Sequence, residues 1–172
     1  MQECTASFDF SNVITWALVV FGWLVVYRQN RAFQDRKELR AALDKIIIDI
    51  DSLREMAVSY HTVESEANSL LSNKIKSLTQ SISANISGTA LGSPDVLEKI
   101  KQTRQSITFE NFETTEYEPQ RHNSGLVLEI FGSTDDLKDS LETRYTDLYK
   151  RTLRYKFLCL VKRSPQLDSG PT

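Results

Sequence analysis

Glycine and proline are scarce in this chain, six and four among 172 residues, and neither occurs between Leu24 and Ser87. An all-β domain needs turn residues at short intervals, so their scarcity excludes one and points to long helices. Cysteine is nearly absent. Cys4 and Cys159 lie at opposite ends of the chain, which rules out a disulfide framework. Basic residues are missing from positions 1–27, where Glu3 and Asp9 are the only charges. The net charge of −2 supplies no global positive field to attract nucleic acid.

Catalytic signatures are missing as well. The two histidines, His61 and His122, begin no HExxH pattern, and there is no GxSxG elbow or GxxxxGK[ST] phosphate loop. GTALGS has two glycines but no lysine and no preceding strand, and reads as a linker. His61 and Glu64 can share a helix face, with Glu66 close by, but a metal site there needs further ligands. A boundary histidine beside solvated carboxylates is the expectation. Cys159, within FLCLV, has no activating histidine nearby in sequence and is expected in a core. The acidic cluster Glu110, Glu113, Glu116 and Glu118 lacks the oxygen-ligand and glycine spacing of a calcium loop, and is expected to be solvated or to face a partner. No catalytic residue, metal, cofactor or small-molecule substrate is expected, and the chain does not read as an enzyme.

What is present begins with FSNVITWALVVFGWLVVY, residues 10–27, eighteen residues without a charge. As a helix it would measure roughly 27 Å at about 1.5 Å per residue, close to the ~30 Å hydrocarbon core of a bilayer. Trp16, Trp23 and Tyr27 suit membrane interfaces, and Arg28 and Arg31 follow at once. A cleaved signal peptide would want a cationic start and small residues after the apolar run, and this chain has neither. The expectation is a single transmembrane helix. The basic residues Arg28, Arg31, Arg36, Lys37 and Arg40 place the following domain in the cytoplasm and residues 1–9 outside, with a bacterial inner membrane as the expected setting.

Beyond Arg28, Leu39, Leu43, Ile46, Ile50, Leu53 and Ala57 step by four and three, a heptad seam extending to Tyr60. Ile47 and Ile48 widen the stripe, favouring a bundle of three or more helices. The spacing predicts helices over about 28–58, 62–86, 94–113 and 134–163, with a disordered tail at 164–172. Thr62 is the expected N-cap of the second helix, whose apolar positions are Val63, Ala67, Leu71, Ile75, Leu78, Ile82 and Ile86. Ser93 and Pro94 open the third helix. LVLEIF at 126–131 fits either a strand or a short buried helix, Gly132 should end it, and Ser133 with Asp136 should begin the last helix. The fold class is therefore all-α: one N-terminal transmembrane helix continuing as a stalk into a cytoplasmic, antiparallel, coiled-coil-like bundle.

The last helix ends in a basic amphipathic stretch containing Lys150, Arg151, Arg154, Lys156, Lys162 and Arg163. It is expected to close a bundle helix, since cations suit a helix C-terminus, or to lie against anionic lipid; nucleic-acid contact is the weaker option. The functional expectation is a membrane-anchored interaction protein, a scaffold or regulatory subunit. It would bind lipid and either itself or a protein partner through the seam Leu39, Leu43, Ile46, Ile50 and Leu53. The alternative is a membrane-perturbing effector. Small toxins and bacterial defence effectors share this layout of one span and a helical domain, a likeness of layout with no motif behind it. The span has no charge and no GxxxG, so a pore lined by it alone would be apolar.

Overall fold

A computed structural model describes residues 10–63, 68–109, 111–114 and 117–161, with side chains over 14–63, 69–109, 111–114 and 117–149. The described residues are all-α: α1 (Phe10–Thr62), α2 (Asn68–Ser87), α3 (Pro94–Thr108) and α4 (Gly125–Val161), with no strand among them. Two compact units divide within α1, one Met1–Ala41 and the other Ala42–Thr172.

In the first unit, the described apolar side chains from Ile14 to Val26 are exposed. Leu18, Val19, Val20 and Phe21 are exposed at 66, 57, 55 and 66%. Four successive residues complete one turn, so this part of the helix has no buried face. Among the described residues, no helix is long and apolar enough to cross a membrane. The described side chains begin at Ile14, whereas the uncharged run begins at Phe10.

The second unit is a helical bundle. Leu43, Ile46, Ile50, Leu53 and Ala57 on α1 are 0–2% exposed. They are joined in the core by Ile75, Ile82 and Ile86 of α2, Val96, Ile100 and Ile107 of α3, and Val127, Ile130, Leu137 and Leu141 of α4. The seam therefore packs within its own chain. Of the five seam residues expected to bind a partner, only Leu39 is half-exposed, and Ile48, expected in the stripe, faces water.

The packing is antiparallel where cross-links define it. Asp95 pairs with Ser140, Lys99 with Asp136, and Thr103 with Ser133, so α4 descends as α3 ascends. Their close approach depends on small side chains: Ser106 Oγ meets Ser133 Oγ at 2.6 Å, and Thr103 Oγ1 donates to Ser133 O at 3.0 Å. Between α1 and α4, Asp51, Arg54, Asp135 and Lys138 form an alternating set of ion pairs at 2.9–3.1 Å. Lys138 hydrogen-bonds Asp135, holding its carboxyl below the usual range and raising its own ammonium. These groups are partly exposed, so each pair contributes about 1 kcal/mol or less and mainly fixes register.

Helix ends differ from the expectations in instructive ways. Thr62 closes α1 instead of capping α2, because its hydroxyl donates back to Val58 O at 2.8 Å. Ser93 and Pro94 do open α3: Ser93 is extended and accepts from Val96 N. In the preceding loop, a side chain on Gly92 would meet Ile86 O at 3.0 Å, so the backbone would have to give slightly to admit one. α3 stops at Thr108, short of 113. LVLEIF is helical, and α4 begins nine residues before the expected start, with Ser124 Oγ accepting from Val127 N. Gly132 does not end it. A lone helical glycine costs only about 1 kcal/mol relative to alanine, and the burial of Val127, Ile130 and Thr134 around it outweighs that. Ser133 serves the α3 contact and its own helix, bonding Ile130 O at 3.2 Å, rather than a cap.

A Cβ on Gly132 would meet nothing within 4 Å. Gly132→Ala should therefore stabilise the purified full chain by about 0.5–1 kcal/mol, raising its urea midpoint. Ile50→Ala should lower stability by about 2–5 kcal/mol in the same measurement.

Candidate functional site

At the end of α1, two consecutive residues organise a junction that local sequence rules do not reveal. Tyr60 and His61 are both buried, with ring centroids 5.2 Å apart in an edge-on arrangement, and Phe112 and Tyr117 pack on Tyr60 at 4.8 and 5.9 Å. The segment after α3 is bound to this helix end through its backbone. Gln120 N donates to His61 O at 2.7 Å, Glu113 N donates to Tyr60 Oη at 2.9 Å, and Tyr117 Oη donates to Tyr60 O and Val63 O. Asn111 holds the segment together: its amide donates to Glu118 O at 2.8 Å and accepts from Glu118 N at 3.1 Å.

Glu113 has φ 52°, a left-handed conformation rare for a residue with a side chain. Its carboxylate accepts from Ser72 Oγ at 2.9 Å and is ion-paired with Lys76, and these bonds hold it below the ordinary carboxylate range. The strained backbone is thus fixed on both sides, by Tyr60 and by α2. Of the four glutamates expected to be solvated or to face a partner, Glu113 is exposed and also ion-paired with Lys76. Glu118 is exposed, while Glu110 and Glu116 lie outside the described residues.

His61 lies in the last turn of α1, at the expected boundary, and is fully buried. Its Nε2 lies 2.9 Å from Ile107 O. A carbonyl can only accept, so Nε2 carries the hydrogen and Nδ1 keeps its lone pair, buried without a partner. A second proton would create a buried cation with no acceptor for it among the described residues. Burial accordingly lowers the His61 pKa, against a smaller upward pull from Ile107 O. Glu64 and Glu66 lie outside the described residues, and no metal-binding group of His, Cys, Asp or Glu occurs among the described ones.

The remaining sequence-derived positions are scattered. Trp16, Trp23, Tyr27, Arg28 and Arg31 are all exposed, and Trp23 stacks on Tyr27 at 5.7 Å. Lys150, Arg151, Arg154 and Lys156 fall on α4, as does Cys159, but their side chains lie outside the described ones; Lys162, Arg163 and Cys4 lie outside the described residues altogether. A groove of about 900 Å³ runs between α2 and α3, with Ile75, Ile100 and Phe112 among its apolar lining and Lys76, Lys101 and Arg104 at its edge. Sequence reading missed it because its two walls come from separate helices.

The geometry defines an all-α protein with a packed helical bundle and an adjoining apolar helical segment. No protein-family model, curated protein or solved structure matches the chain.

Protonation of His61 is opposed by folding, so the unfolded chain binds that proton more readily. Stability should be intact above about pH 6.5 and decline as the pH falls below it. A urea midpoint measured between pH 7.5 and 5.5 should fall, and His61→Gln, which keeps a donor for Ile107 O but does not titrate, should flatten that slope. The lowered carboxyls of Glu113 and Asp135 act only in more acidic solution and leave this window clear.

Proposed function

We propose that this chain is a non-enzymatic, single-pass membrane-anchored interaction protein. In this reading residues 10–27 cross the bilayer, residues 1–9 lie outside, and residues 28–163 act as a scaffold or regulatory subunit at the cytoplasmic face. One observation carries it. The helix surface from Ile14 to Val26 presents large apolar side chains on all faces, exposed at 40–71% among the described residues. Each such side chain is worth roughly 1.5–3 kcal/mol when fully buried, so a whole helix of them left in water is strongly unfavourable. A helix that is apolar all round belongs in a core or in lipid, and the described core contains none of these side chains. Phe10 to Val13 extend the same uncharged run to a length that matches a bilayer. Arg28 and Arg31 at its end favour the cytoplasmic side.

The bundle beyond supplies an ordered platform with no metal cluster among its described residues. Its heptad seam serves the interior, so a partner has to be met on another surface. That favours a platform whose outer surfaces do the binding over a simple zipper through Leu43 and Ile50.

The full chain should remain in the membrane pellet through alkaline carbonate extraction, and a membrane-impermeant maleimide applied to intact cells should label Cys4 but not Cys159. Recovery of the chain in the soluble fraction without detergent would falsify the anchor. Induced expression should leave membrane potential unchanged; its collapse would favour the effector reading instead.

A further inference from the structure

We infer that the groove between α2 and α3 is the docking surface for the partner, and that its occupant is an acidic amphipathic helix of another protein. This deepens the reading of a cytoplasmic interaction platform and rests on it.

The groove has the dimensions of a helix seat. From Lys76 to Ser87 the α2 wall runs roughly 16 Å at about 1.5 Å per residue, or three turns. The opening exists because α3 lies against α4 far more extensively than against α2. Thr103 and Ser106 draw α3 toward Ser133, leaving the opposite side of α3 uncovered. There Leu97 is 43% exposed on the wall, while Ile100 and Ile75 form the floor. The α2 wall offers Thr79 and Ser83, whose small side chains let another backbone approach closely. An apolar floor between two ridges suits the apolar stripe of a third helix laid between them.

The charge of the groove specifies the flanks of that helix. Three bases, Lys76, Lys101 and Arg104, border it against one acid, Glu113. Glu113 is consumed by Lys76 and Ser72. Lys101 has only an exposed contact with Glu98 at 3.7 Å, worth little in water. Arg104 has no ion pair among the described residues. An occupant with aspartate or glutamate beside its apolar stripe would satisfy both cations, and a basic one would be repelled.

A photo-crosslinking amino acid placed at Ser83 of the full chain, in the cells that produce it, tests this directly. Mass spectrometry should identify a crosslinked peptide from another protein with acidic residues flanking a three-and-four apolar spacing. Arg104→Glu should reduce its yield by about tenfold, as expected when an attractive charge contact becomes repulsive. Leu97→Ala, a milder change, should also reduce it, with circular dichroism confirming that both variants are folded. A crosslink to a second copy of this chain, to lipid, to a basic peptide or to nothing would overturn the proposal, as would an acidic peptide whose yield Arg104→Glu leaves unchanged. Carbonate extraction of the same cells keeps the outcomes apart: a chain retained in the membrane with no such crosslink sinks the groove and spares the anchor.

Discussion

The stripe Leu43, Ile46, Ile50, Leu53 and Ala57 has to be kept from water, and the second unit is arranged around that requirement. Four of these five side chains are large, and each is worth roughly 1.5–3 kcal/mol on full burial. Helix α4, antiparallel to α1 along the Asp51–Arg54–Asp135–Lys138 ion pairs, supplies Val127, Ile130, Leu137 and Leu141 to the shared core. The ion pairs contribute little energy individually. Their value lies in register, since sliding α4 by one turn would separate all the cross-helix pairs together.

Polar groups then decide how closely the helices approach. Thr103, Ser106 and Ser133 bring α3 onto α4 through hydroxyl contacts that bulky side chains would block. The same choice leaves α3 turned away from α2 and opens the groove. At the end of α1, Tyr60 and His61 bind the segment after α3 through backbone groups that would otherwise lack partners. The strained conformation of Glu113 persists because Tyr60, Ser72 and Lys76 hold it from opposite sides.

The two halves of α1 therefore solve the same problem differently. One half finds its apolar partners within the chain. The other, from Ile14 to Val26, is exposed among the described residues, and any function assigned to this protein has to name what covers it.

Scarce glycine and proline, periodicity and local capping residues carried the all-α class, the course of α1, the start of α3 with its Ser93 cap, and much of the core. These features depend on neighbours three or four residues apart, which a single chain displays openly. The sequence also revealed the uncharged run at 10–27, because the absence of charge requires no partner to be recognised. It misjudged the start of α4, since Gly132 and Ser133 resemble a helix break until burial on both sides overrides local preference. It offered the seam as a binding surface, because an amphipathic stripe looks the same whether its partner lies in the same chain or another. Only the tertiary structure turned that stripe inward, buried His61 against Ile107 O, paired Glu113 with Lys76 and opened the groove. Each of those outcomes depends on residues dozens of positions apart, and their meeting is set by how whole helices pack.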